Sequence, residues 1–315
     1  MAILGVDIGG TRIKAGVVDS AGRVRAPGEV STPADLDGFQ AAFGTLLRTA
    51  IAAAGPVEAA GVGCKGFIDA ATTRILDLPG TLHFLEGAAL AEMVRGALGR
   101  DLPVAADNDA RAAMAGEVAW GAARGRRNAL LLTLGTGVGG AAVVDGRLLR
   151  GARGAGGHFG HLTMDPSGAP CICGNRGCLE TFFSAGAIEA EARSAVYRGC
   201  SSALTERFRG APESLTCRDV FEAAAAGDAL ARWVVERATG VLGAALAGLA
   251  MAFDPELIIL GGQISAAGGA LFDPLRRELA WRTRMLNREV PLVRAEAADA
   301  TGVAGAAALA LSGAL

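Results

Sequence analysis

Neither sign of charge prevails in this chain of 315 residues, where 32 acidic side chains stand against 30 basic ones for a net charge of -2. Such a balance offers no general attraction to DNA, RNA or an anionic membrane surface, which favours a small, discrete ligand. Nor is a secretory leader expected, because MAILGVDIGGTRIK places no basic segment ahead of an apolar core and brings in Asp7 early. No clean membrane-length run is present either. The apolar stretch Trp233 to Phe253 is interrupted by Glu236 and Arg237 and by Gly240, Gly243 and Gly248, the pattern of a buried helix. A cytoplasmic protein without nucleic-acid or membrane partners is the expectation.

What the chain does have is apolar material, at 51% of residues, enough for two packed domains with a cleft between them. It also has 46 glycines, about twice the usual share, and they cluster, which suggests backbone-lined sites. Ala2 to Val6 and Ile13 to Val18 read as a β-hairpin around Gly9-Gly10. Helical spacing over Leu36 to Ala54 follows, then strands at Ala59 to Gly63 and Pro103 to Ala106. The latter ends in Asp107-Asn108-Asp109 before a helix from about Ala110 to Trp120. A second strand, turn and strand begins at Ala129 to Leu134. Two glycine-rich hairpins suggest a duplicated α/β domain, with a boundary near residues 117 to 127. Gly151 to Gly177 is long and aperiodic, hence functional. Thr216 with Asp219 has the form of a helix cap, Leu230 to Phe253 is a long helix, and Leu257 to Leu260 is a buried strand before Gly261-Gly262. A helix at Leu271 to Arg282, a strand at Val290 to Ala295 and an Ala-rich helix close the chain.

Chemistry concentrates in four places. In Asp7-Ile8-Gly9-Gly10-Thr11 the glycines let backbone N–H groups approach phosphate, Thr11 adds a hydroxyl, and Asp7 implies a bound cation such as Mg²⁺. An ordinary hairpin turn would carry the same residues. Gly135-Thr136-Gly137-Val138-Gly139-Gly140 repeats the pattern, and Gly261-Gly262 suits a place near a nucleotide. Asp107-Asn108-Asp109 offers a carboxylate to accept a hydroxyl proton and an amide to hold a neighbouring hydroxyl. The same residues also suit simple capping of the helix behind them. Of six cysteines, Cys171, Cys173 and Cys178 crowd together, and with His161 they make one imidazole and three thiolates. That is the complement of a closed tetrahedral zinc site, structural rather than catalytic, which would also hold Glu180 in place. His83, in the apolar run Leu82 to Leu85, reads as a partly buried structural residue.

Taken in order, DIGGT, DND, GTGVGG, the histidine spacing and CxCGxxGCLE resemble the zinc-containing sugar kinases of the ROK (repressor, open reading frame, kinase) family, glucokinases among them. The resemblance spans nearly the whole chain. It implies an α/β, two-lobed actin/Hsp70/hexokinase-like (ribonuclease H-like) fold with a duplicated domain. The lobes would comprise residues 1–117, completed by the C-terminal helix at about 301–315, and residues 118–300 with the zinc loop 151–180. It implies transfer of the γ-phosphoryl group from Mg-ATP to the primary hydroxyl of a hexose, with Asp109 as general base. Asn108, His158, His161, Glu180 and Gly66 would face the sugar. Asp7, Gly9, Gly10, Thr11, Gly135, Thr136, Gly137, Gly261 and Gly262 would face the nucleotide. Structural Zn²⁺ on His161, Cys171, Cys173 and Cys178 and a homodimer complete what it implies.

Three positions depart from the family pattern. His158 stands where a Glu is usual, Lys65 where a Pro is usual, and Arg111 where an Asn is common. All add donors or positive charge, which suggests a sugar with an N-acyl or acidic substituent. A catalytically impaired sugar-binding protein is a further alternative. A sugar-sensing repressor is disfavoured, since Asp7 leaves no room ahead of it for a helix-turn-helix.

Overall fold

The computed structural model describes residues 1–297 and 302–311. Ile3–Ile8 (β1) and Arg12–Val18 (β2) form the expected hairpin, and Val24–Ser31 (β3) extends it. Leu36–Ala54 (α1) follows. Asp35 Oδ1 accepts the Gly38 N–H at 2.8 Å at its start, and Gly55 ends it by donating to Ile51 O at 2.8 Å. Phe39, Phe43, Leu46, Leu47 and Ala50 share its buried face. Next come Ala59–Cys64 (β4), a ribbon of Phe67–Asp69 (β5) and Arg74–Asp77 (β6), Leu90–Leu98 (α2), Val104–Asn108 (β7) and Asp109–Trp120 (α3).

The second half begins with Ala129–Leu134 (β8), Val138–Val144 (β9) and Arg147–Leu148 (β10). After the long loop come Ala185–Tyr197 (α4), Thr205–Gly210 (α5), Cys217–Ala225 (α6) and Ala229–Phe253 (α7). Leu257–Gly261 (β11), Gly269–Arg282 (α8), Leu292–Arg294 (β12) and Gly302–Ala310 (α9) close the chain. Thr216 and Asp219 make the reciprocal capping box expected at the start of α6.

The strand order is β3-β2-β1-β4-β7 in one sheet and β10-β9-β8-β11-β12 in the other. Each therefore runs third, second, first strand of its half and then two later ones, which is the duplicated α/β topology expected. By proximity the chain divides into Met1–Leu130 with Ala141–Gly157 and the stretch from Ala295, and a second unit of Leu131–Gly140 with His158–Arg294.

In the first unit α9 lies directly on the sheet. A Cβ at Gly5 would stand 2.0 Å from Val303 O, and one at Gly61 would stand 1.8 Å from Ala306 O. Only glycine at both strand positions lets the helix backbone approach this closely. The expected helix at about 301–315 is thus present over Gly302–Ala310, while 301 and 312–315 lie outside the described residues. In the second unit α7 is long and apolar enough to cross a membrane by composition alone, yet 61% of its apolar window is buried within the fold. It packs against α4, α6 and α8 as a core helix.

Candidate active site

Parallel pairing sets the geometry in the first unit. Ile8 of β1 lies level with Cys64 of β4, and Cys64 with Asn108 of β7. The residues that follow, Gly9, Lys65 and Asp109, therefore leave one sheet side by side at the carboxyl ends of its strands, where open α/β sheets bind ligands. Asp7 faces Lys14 across the hairpin.

At the first turn, Gly9 N–H donates to Arg12 O at 3.0 Å, and Thr32 ties the base through Gly9 O and Thr11 O, each at 2.9 Å. The amides of Gly10 and Thr11 form no hydrogen bond among the described residues, so two adjacent donors remain for an anion. Burial first, and then the charge of Asp109, raise the Asp7 pKa to about 6, while Lys14 pulls it back. Two carboxylates that repel in this way form a donor set that a divalent cation relieves.

Asp109 is the exposed first residue of α3. Asn108 is buried and serves as the helix cap. Its Oδ1 accepts from Ala110 N at 3.0 Å and Arg111 N at 3.4 Å, and its Nδ2 donates to Gly66 O at 3.1 Å. Asn108 thus caps the helix, while Asp109 is exposed, with its Oδ1 accepting the Ala110 N–H at 2.8 Å and its other oxygen in no hydrogen bond among the described residues.

Arg111 does not add free positive charge. It is fully buried, and its Nε donates to Asp107 Oδ1 at 2.5 Å while Nη1 donates to Gly156 O at 2.8 Å. Arg150 reaches the other oxygen of Asp107 at 2.8 Å. Asp107, 1% exposed, is thereby held between two guanidinium groups, and the clamp fastens Arg150 and Gly156 to the start of α3. Sequence reading missed it, because an Asp and an Arg four apart look like an ordinary helix pair. The expectation that Arg111 favours an acidic ligand is corrected accordingly: its side chain is buried and directed onto Asp107 and Gly156 O. Arg111→Ala is expected to cost about 3–5 kcal/mol, since it uncovers part of a buried carboxylate; chemical denaturation measures this directly.

His83 also differs from expectation. Its side chain is 65% exposed and Nδ1 lies 2.7 Å from Glu86 Oε1, because Leu82 turns the chain with a positive φ and sends the ring outward.

In the second unit, Gly135 N–H donates to Gly137 O at 3.0 Å, which closes the second turn. Glu180 is bound to that turn, for its Oε2 accepts the Val138 N–H at 2.9 Å. Gly262 follows β11 with a positive φ of 79° and abuts the backbone of Leu134, so Gly261-Gly262 lies against β8. His158 precedes one turn of 3-10 helix over Phe159–His161, and His161 is its last residue.

The ligand atoms of His161, Cys171, Cys173 and Cys178 all lie within 4.8 Å of one another. Cys171 Sγ is 3.5 Å from His161 Nδ1, and Cys173 Sγ is 3.6 Å from Cys178 Sγ. Ligand bonds of about 2.0–2.3 Å at tetrahedral angles require donor separations of about 3.3–3.8 Å, so these four atoms could hold one tetrahedral cation. Burial and then the Cys173 and Cys171 thiols push Cys178 up to about 12, the environment that a cation reverses. Backbone bonds shape the loop: Cys171 N–H donates to Asn175 O at 2.8 Å, Gly177 N–H to Ala169 O at 2.8 Å and Leu179 N–H to Leu162 O at 2.9 Å.

Two sheets of like strand order, each led by a hairpin with a glycine turn, define an α/β fold of the actin and hexokinase kind. The chain belongs to the ROK family, whose model matches residues 3–312. It is 39% identical over 291 residues to a glucokinase of Halalkalibacterium halodurans, covering 87% of this chain and 84% of that protein. It is 33% identical over 314 residues to an N-acetylmannosamine kinase of Citrobacter koseri, covering 98% and 99%. A solved ROK family glucokinase from Streptomyces griseus, in complex with glucose and AMPPNP, superposes with a TM-score of 0.85 at 32% identity over 99% of each chain.

Proposed function

We propose that this chain is an ATP-dependent hexose kinase that transfers the γ-phosphoryl group to the primary hydroxyl of a glucose-like sugar. One observation carries the reading: β1, β4 and β7 end in register, so that the Gly9-Gly10 turn and the Asp109 carboxylate emerge at one sheet end. Asp109 accepts the hydroxyl proton while the turn amides of Gly10 and Thr11 receive phosphate oxygens. Gly135, Thr136, Gly137, Gly261 and Gly262 serve the nucleotide. Asn108, Gly66, His158, His161 and Glu180 serve the sugar. Mg²⁺ supplies neutralisation of the phosphate charge, and Asp7 is the carboxylate suited to it. Zn²⁺ on His161 and the three cysteines is structural, fixing the loop that carries the sugar residues. A cytoplasmic homodimer belongs to the same reading, on family resemblance.

A second substrate class has a specific observation in its favour. The Citrobacter koseri relative is named an N-acetylmannosamine kinase, and His158 puts an imidazole where the family usually has Glu. Coupled detection of ADP release over glucose, mannose, N-acetylmannosamine and glucuronate tests both. Turnover is expected with a neutral hexose. A preference for N-acetylmannosamine would transfer the assignment to N-acylated sugars, and no ADP release with any sugar would leave a binding protein.

A further inference from the structure

The chain contains 30 Lys and Arg residues, and only two of them, Lys14 and Lys65, are lysine. Everywhere else arginine carries the positive charge. Both lysines stand beside the Asp7 strand: Lys14 pairs with Asp7 across the hairpin, and Lys65 follows Cys64, the residue level with Ile8. Lysine differs from arginine as a compact point charge with three donors, suited to places that a planar fork does not fit. A chain that otherwise prefers arginine keeps lysine at 65 for a local reason.

The local geometry indicates that reason. Lys65 Nζ donates to Pro79 O at 2.9 Å and to Thr81 Oγ1 at 2.8 Å. Both acceptors are neutral, so the ammonium charge has no carboxylate partner among the described residues and one N–H is left over. The anchored side chain borders the phosphate turn. A Cβ on Gly10 would stand 3.1 Å from Thr81 Oγ1 and 4.0 Å from Lys65 Cδ, so the turn at Gly10 lies close against Thr81 and the Lys65 stem. The charges of Asp109, Asp7 and Lys65 all act on one buried thiol, that of Cys64.

We propose that Lys65 is a catalytic cation whose ammonium group contacts the oxygens of the phosphoryl group during its transfer. This inference rests on the kinase reading above. The γ-phosphorus bond to the β–γ bridging oxygen breaks with its electron pair left on ADP, and a new bond forms from the sugar hydroxyl oxygen to phosphorus. The hydroxyl proton goes to Asp109. Lys65 keeps its own proton and donates to the equatorial oxygens, on which charge is spread in the transition state. Pro79 O and Thr81 Oγ1 hold the ammonium in place beforehand, so no reorganisation is needed as the charge arrives.

Lys65→Met keeps length and removes the charge. Its kcat should fall about 10²–10³-fold, as on loss of one charge-stabilising donor, with sugar KM little changed. ADP with aluminium fluoride and glucose, which imitates the transferring group, should bind it correspondingly more weakly while ADP alone binds as before. Thr81→Val removes one anchor and keeps the charge, so its kcat should drop less than tenfold. Three results would overturn the inference: an unchanged kcat in Lys65→Met, a raised sugar KM at unchanged kcat, or equal losses in the two variants. The last would mean that Lys65 only fastens the Pro79–Thr81 segment. Wild-type turnover, measured alongside, separates the two claims. An inactive wild type sinks the kinase reading and this one with it, whereas an active wild type with an equally active Lys65→Met sinks Lys65 alone.

Discussion

Asp109→Asn turns over sugar at least about 10²-fold more slowly than the wild type, and the loss extends towards 10⁴-fold if proton removal limits the rate. Asparagine keeps the shape of the side chain and can still hydrogen-bond a hydroxyl, so sugar binding survives. What it cannot do is accept a proton. The position supports a large effect: Asp109 is exposed at the first turn of α3, while its neighbours Asp107 and Asn108 are buried and already engaged with Arg111, Arg150, Gly66 and the helix amides. Neither can substitute for it. A second consequence follows from the Asp7 pKa of about 6, of which the Asp109 charge is the second cause after burial. The variant should bring Asp7 back towards its ordinary value, visible in a carboxyl titration by NMR. Initial rates of ADP release together with calorimetric sugar binding decide the matter. Turnover near wild type would remove Asp109 from the role of base.

Several elements could be read from sequence because one residue type fixed each boundary. Helix α1 begins after Asp35 and stops at Gly55, and both ends match expectation because a side-chain cap and a glycine with positive φ define them. The Thr216–Asp219 box marked α6 in the same way. Strand β3 had no such mark. It alternates half-buried with exposed residues, carries Pro27 and Gly28, and opposes a register shift between Ala15 and Val17, as a sheet edge tolerates. Expected strand Val290 to Ala295 shrinks to Leu292–Arg294.

The Cys/His cluster was legible since three thiols this close are rare in sequence, and the fold brings its four candidate donor atoms within 4.8 Å of one another. The Asp107–Arg111–Arg150 clamp was not. Arg150 is 43 residues from Asp107, and only the folded loop brings it there. The attachment of Glu180 to Val138 N–H is hidden for the same reason, at a separation of 42 residues. Local chemistry names candidates, and tertiary packing decides which of them are already occupied by the fold.

On the zinc reading proposed above, Cys173→Ser should lose the metal. A serine hydroxyl stays protonated near neutral pH and binds a borderline-soft cation far less well than a thiolate. The exposed Cys173 Sγ is one of four donors converging within 4.8 Å, so its loss leaves three ligands around a site that needs four. Metal content, expected at about one per chain in the wild type, should fall to near zero after dialysis against a mild chelator. Stability should fall as well, because metal affinity is folding free energy for the loop it closes. A loss of about 2–3 kcal/mol lowers the melting temperature by roughly 5–10 °C for a unit of this size. The backbone bonds from Cys171 to Asn175 and from Gly177 to Ala169 keep the loss from becoming complete unfolding. Cys200→Ser gives the contrast, since that exposed cysteine stands outside the cluster and its variant should keep both metal and melting temperature. Should Cys173→Ser retain a full metal complement, the ligand set would be wrong. Should it lose the metal but melt like the wild type, the loop would be held by its backbone alone, and the cation would have no structural part.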